Sequence, residues 1–163
     1  MSLKDLEIKN EYRSKITDVV SSFFVPVLSE SCSYKRSVGF FSSSSLIEIS
    51  KGICSLAGRG GKIKLVTSPC LSDEDVDAIK TGYKNRDEVI KNALIRELKE
   101  PNNELESDRL ALLAHLITMG TLDIKVAVVD NGIGIYHEKL GLMEDRDDNI
   151  VAFSGSMNES ETA

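Results

Sequence analysis

At 163 residues with a net charge of −6, the chain has room for one domain with a proper core, but not for two comfortable ones. No apolar run approaches the roughly 20 residues of a membrane-spanning helix, and Met1-Ser-Leu-Lys4 is followed by charge rather than by the apolar core of a signal peptide. Cys32, Cys54 and Cys70 are an odd, scattered set without C-x-x-C pairing, which argues against a disulfide framework or zinc site and for reduced thiols in a cytoplasmic protein.

In chain order, residues 11–28 carry apolar side chains at helical spacing (Tyr12, Ile16, Val19, Val20, Phe23, Phe24, Val27), so a helix is predicted there, perturbed near Pro26. Residues 37–42 read as a buried strand. Ser43–Ser45 can cap a following helix carrying Leu46, Ile47, Ile49, Ile53, Cys54 and Leu56, ended by Gly58 and Gly60-Gly61. Residues 62–67 form the next strand. The resulting β-α-β unit predicts a parallel pair.

The middle reads as helical and acidic, over 72–81, 86–100 and 107–119. Strands follow over 122–129, 133–143 and 150–155. Asn131-Gly132 is a hairpin signal, and 145–149 makes a second turn. These elements predict an α/β domain with a central mixed β-sheet flanked by helices on both faces. Val38, Phe40, Leu65, Val126, Val128, Ile133, Ile135, Val151 and Phe153 are its expected core. The chain stops at Glu159-Ser-Glu-Thr-Ala163, where a helix would be starting. Residues 1–163 are therefore read as a single domain and an N-terminal fragment of a longer protein, truncated at its C-terminal side.

The chemistry concentrates in the last fifth. His137 and Lys139 are two apart, and residues at i and i+2 of an extended chain project to the same side. An imidazole beside an ammonium suits attack on a phosphodiester: one group acts as nucleophile or base, and the other neutralises phosphoryl oxygens. Gly155-Ser156-x-Asn158 closes the next apolar run. Ser156 and Asn158 can cap a helix, touch substrate, or do both, since a helix N-terminus attracts anions. Glu144 either orients the site or is a carboxylate beside a turn.

His137-x-Lys139, an acidic residue at Glu144 or Asp145, and Gly155-Ser156-x-Asn158 together resemble the phospholipase D superfamily motif H-x-K-x4-D-x6-G-S-x-N. The stretches 38–42 and 123–129 are similar to its bacterial branch with one motif copy, which includes restriction-type endonucleases and domains fused to helicases. Counting from Lys139 puts Glu144 at the motif's Asp position, Asp145 fits with a one-residue slip, and the spacing to Gly155 is longer by residues in the 145–149 turn. The resemblance implies a phosphohistidine on His137 and no metal or other cofactor. Lys139, Asn158, Ser156 and Glu144 complete the implied site. Since two histidines are implied per site and the motif occurs once, it also implies a homodimer sharing the site across a two-fold interface.

A nuclease or DNA-processing domain attached to a helicase or restriction-type protein is the leading reading, with nucleic acid as substrate and no membrane. A catalytically inactive nucleic-acid-binding or dimerisation module is the alternative, and a lipid-directed phosphodiesterase a third. Net charge sits awkwardly with nucleic acid. However, Lys35, Arg36, Lys51, Arg59, Lys62 and Lys64 gather around the first two strands, while acids concentrate at 73–77, 97–108 and 144–148. A local basic face and a solvated mixed surface both fit that pattern. His115, inside a helical apolar stripe, reads as a core or interface residue. Gly58-Arg-Gly-Gly61 and Gly132-Ile-Gly134 lack phosphate-loop spacing and read as turns.

Overall fold

The computed structural model describes residues 1–13, 16–39, 48–68, 88, 92, 104–127 and 136–155. They form an α/β fold on a five-stranded mixed sheet of order β3-β2-β1-β4-β5. The strands are β1 (Ser33–Val38), β2 (Lys62–Thr67), β3 (Leu122–Val126), β4 (Leu140–Glu144) and β5 (Ile150–Ser154). β1, β2 and β3 run parallel, while β4 pairs antiparallel with both β1 and β5. The helices are α1 (Val25–Glu30), α2 (Ser50–Gly58) and α3 (Glu104–Thr118).

The first helix starts later than its apolar spacing predicts. Residues 16–17 form a turn, Asp18 accepts the Ser21 N–H at 3.1 Å, and a π-helical turn over Val20–Phe24 leads into α1. Ile16 is 79% exposed, so its place in the apolar series reflects spacing rather than burial. Pro26 falls in the first turn of α1, directly after the π-helical turn, and its missing N–H marks the perturbation expected there. The expected helix over 72–81 and the Ser43–Ser45 cap lie outside the described residues, as does the helix over 86–100 apart from Glu88 and Asn92, which are helical.

Both long helices end the same way. Gly60 (φ +75°) and Gly120 (φ +61°) adopt the left-handed conformation. Behind them the N–H groups of Gly60 and Gly61 bond Ala57 and Leu56 carbonyls, and those of Gly120 and Thr121 bond Ile117 and Leu116. This paired closure satisfies the last helical carbonyls and turns the chain at once into β2 and β3. The predicted β-α-β unit is present: β1, α2 and β2, with β1 and β2 parallel.

β1 begins four residues before its predicted start, because Tyr34 and Arg36 are buried members of the alternating pattern. The hairpin signal Asn131-Gly132 lies outside the described residues. The strands before and after it, β3 and β4, are not neighbours, since β2 and β1 stand between them. A turn dipeptide reports local backbone preference and does not by itself choose a partner strand.

Alternation gives the sheet two unlike faces. Tyr34, Val38, Ile63, Leu65, Leu122 and Met143 share one face and one core cluster with Val27 and Leu28 of α1, Ile53 and Leu56 of α2, and Leu113 and Leu116 of α3. Each fully buried aliphatic side chain of this kind contributes about 1.5–3 kcal/mol. The expected helical layer on the second face is not found among the described residues. That face carries Lys35, Lys62, Lys64, Asp123 and Lys125, all exposed. Of the expected core, Val38 and Leu65 are buried, while Val126, Val151 and Phe153 are half-buried; Phe40, Val128, Ile133 and Ile135 lie outside the described residues.

Phe153 joins β5 to the helices. Its ring meets Phe23 and Phe24 edge-on at 5.3 Å and lies over Gly141, where an added Cβ would stand 2.1 Å from Cζ. The buried Arg36 guanidinium sits 4.9 Å from the ring centroid, a cation–π contact. Gly141 is thus glycine because an aromatic ring on the next strand occupies its side-chain space.

Candidate active site

The segment Tyr136–Lys139 runs directly into β4 and is not part of the ladder. Of the strand predicted over 133–143, residues 133–135 lie outside the described residues, 136–139 are not in the ladder, and β4 starts at Leu140, so His137 stands just outside the sheet. The side-by-side projection holds all the same: Lys139 Nζ lies 2.6 Å from His137 Nε2. An ammonium has only donors, so Nε2 accepts this hydrogen bond through its lone pair. His137 is exposed and Lys139 half-buried.

Three contacts fix this segment. Antiparallel pairing of β4 with β1 (Ser37 opposite Leu140) carries Tyr136 and His137 past the end of β1 to Gly39. A Cβ on Gly39 would stand 2.9 Å from His137 Nδ1 and 3.4 Å from the Tyr136 carbonyl oxygen. Any larger residue there would push the imidazole aside. Tyr136 turns the other way, and its hydroxyl hydrogen-bonds the Ser37 hydroxyl. Finally, the Gly39 carbonyl accepts the Ser68 N–H at 3.2 Å, which extends the β1–β2 pairing to the same point. Imidazole and ammonium therefore sit at the carboxyl ends of parallel strands, where open α/β sheets commonly place ligands.

The β4–β5 hairpin brings the two halves of the sequence motif together. Leu140 pairs with Ser154, and the Gly155 N–H reaches the Lys139 carbonyl at 3.4 Å. The glycine that opens Gly-Ser-x-Asn thus adjoins the lysine of His-x-Lys. Ser156 and Asn158 lie outside the described residues.

The two acidic candidates are not at this end. Glu144 is five residues beyond Lys139, roughly 16 Å along an extended chain, and its carboxylate faces Lys35 at 3.4 Å. Asp145 is buried in the turn after β4. It accepts from the Ser2 hydroxyl, the backbone N–H groups of Leu3, Asp147 and Asn149, and the Asn149 side-chain amide, at 2.9–3.1 Å. Burial pushes this carboxyl up, but the bonds from Asn149, Leu3 and Ser2 outweigh it and hold it well below the usual aspartate range. The turn closes with Asp148 in the left-handed conformation (φ 59°), as three-residue hairpin loops do. Its acids thus shape the hairpin and do not assemble around His137. His115 is exposed on α3, so a core role is overturned.

Sequence reasoning missed Gly39, Ser37 and Tyr136. A glycine inside an alternating strand pattern is a signal for close backbone approach, and it was present in Ser37-Val-Gly-Phe. Tyr136 gave no signal beyond its place beside His137.

Compared with models of known protein families and with curated proteins, the chain matches none.

Proposed function

We propose that this chain is a metal-independent phosphodiesterase of the phospholipase D type, serving as the nuclease or DNA-processing part of a helicase- or restriction-type protein. The observation that carries this reading is the His137–Lys139 pair at the carboxyl ends of β1 and β2, with Gly155 against it. Nδ1 faces Gly39, so Nε2 is the nitrogen directed at substrate.

The pair suits a two-step displacement. A non-bridging phosphate oxygen takes over the Lys139 ammonium, which releases the Nε2 lone pair to attack phosphorus. A P–N bond forms, one P–O ester bond breaks, and the leaving alkoxide takes a proton from a second histidine. Water then attacks the phosphohistidine and gives its proton to that second histidine. The P–N bond breaks and a phosphomonoester leaves. The second histidine is His137 of another copy, so the active unit is a homodimer sharing the site across a two-fold axis. Ser156 and Asn158 take the phosphate-binding roles that the motif likeness implies. Cys32 and Cys54 are free thiols and no described helix is long and apolar enough to cross a membrane, which supports a cytoplasmic setting.

The test is hydrolysis of DNA and of bis(p-nitrophenyl) phosphate by the whole protein in excess EDTA. Activity is expected to persist, and to vanish in His137→Ala. Abolition by EDTA, or survival in His137→Ala, contradicts the reading.

A further inference from the structure

We infer that the exposed face of the β1–β2–β3 half of the sheet is a track for the phosphate backbone of nucleic acid, an inference that names the substrate of the phosphodiesterase reading above and rests on it. Alternation sorts the basic residues that cluster in the sequence. Arg36 goes to the helix-covered face, while Lys35, Lys62, Lys64 and Lys125 all project from the open one and are exposed. Lys35 and Lys64 are direct partners in the β1–β2 register, and Lys64 is flanked on its other side by Asp123 of β3.

Solubility alone does not call for this arrangement. Like charges at directly neighbouring strand positions are destabilising, and the protein tolerates that cost in a chain of net charge −6. Glu144 relieves Lys35 at 3.4 Å, and Lys62 donates to the Gly120 carbonyl at 2.9 Å. Among the described residues, no ion pair holds Lys64, Lys125 or Asp123. Two cations therefore stand uncommitted on β2 and β3. The alternating positions on this half are mostly lysine and serine, with Val66 half-buried and no aromatic ring. This half offers point charges, while the exposed apolar side chains of the same face, Leu140 and Ile150, stand on β4 and β5. The β1–β2–β3 half therefore fits a phosphate backbone bound without base readout. β1 and β2 both run to the edge at Gly39 beside which His137 stands, so the track leads to that edge on the side of Ser37 and Tyr136.

The experiment compares the whole protein with the double variant Lys64→Gln/Lys125→Gln and with Asp123→Asn. Binding of a labelled duplex oligonucleotide is measured across a salt series, and hydrolysis of bis(p-nitrophenyl) phosphate in parallel. The double variant should bind about tenfold more weakly at moderate salt, with the salt slope reduced by about 1.8, since each lost phosphate contact removes about 0.9. Asp123→Asn should bind about threefold more tightly. Hydrolysis of the small ester should be unchanged in both variants, which also reports that they are folded. Unchanged affinity and slope in the double variant overturn the track, as does an absence of DNA binding by the parent protein. Binding of the parent to phosphatidylserine vesicles in preference to DNA overturns it as well. If neither substrate is cleaved but the lysine variants lose DNA as expected, the track stands and the phosphodiesterase reading fails.

Discussion

Lys139→Ala should lower kcat on a phosphodiester nearly as far as His137→Ala, by a factor on the order of 10³, the usual loss when one preorganised charge-stabilising group is removed. The reason is geometric. With Nζ 2.6 Å from Nε2, the proposed displacement has the ammonium neutralise the phosphate oxygen beside the attacked phosphorus, and phosphoryl transfer rests mainly on positioning and charge neutralisation. Lys139→Arg should not restore the rate, because a planar fork cannot replace a compact ammonium at that distance. Initial rates on bis(p-nitrophenyl) phosphate settle the matter. A Lys139→Ala enzyme within tenfold of the parent would remove the lysine from the reaction.

Asp145→Ala should lower the melting temperature by roughly 10 °C, the largest stability loss expected of any single charged side chain here. Its carboxylate gathers the N-terminal turn (Ser2, Leu3) and the β4–β5 loop (Asp147, Asn149) on two oxygens. Its removal leaves several buried donors unsatisfied at once. The pH dependence follows from a folded-state pKa held below the ordinary 3.8. Such a group contributes stability that is fully present above that ordinary value. The contribution is lost as pH falls from there toward the depressed folded-state value. A thermal melt series from neutral to acid pH should therefore show the parent losing stability below about pH 4 and Asp145→Ala losing less over the same window. Parallel pH profiles for the two proteins would contradict this. Activity of the variant at low temperature should survive, since the carboxylate holds the hairpin and lies at the end of β4 away from His137.

Where a single backbone period decides burial, the fold was legible from the sequence. Residues 62–67 alternate cleanly and form β2 without adjustment, and Gly60 and Gly120 announce helix ends because few other residues take a left-handed conformation at no cost. β1 was harder. Its buried Tyr34 and Arg36 look polar by composition, and the ring that Arg36 meets, Phe153, lies far along the chain. Sheet order was not legible at all between β3 and β4, since pairing is settled by which faces can be buried together. In the site, spacing alone placed His137 and Lys139 on one side. The contacts that aim them, Gly39 under the imidazole and Ser37 against Tyr136, join positions nearly a hundred residues apart and have no local signature. For the acids the sequence offered two candidates at the same turn. Only the hydrogen-bond pattern separates Glu144, paired with a surface lysine, from Asp145, which ties the turn to the N-terminus.

The most direct measurement is capture of the covalent intermediate. The whole protein is mixed with a phosphodiester substrate in EDTA, quenched in alkali where phosphohistidine survives, and digested for mass spectrometry. A phosphoryl adduct, carrying the retained ester group, is expected on the His137 peptide, absent in His137→Ala and lost on acid treatment. Turnover in EDTA with water attacking in a single step, shown by inversion at a chiral phosphorothioate and no adduct on His137, would contradict it.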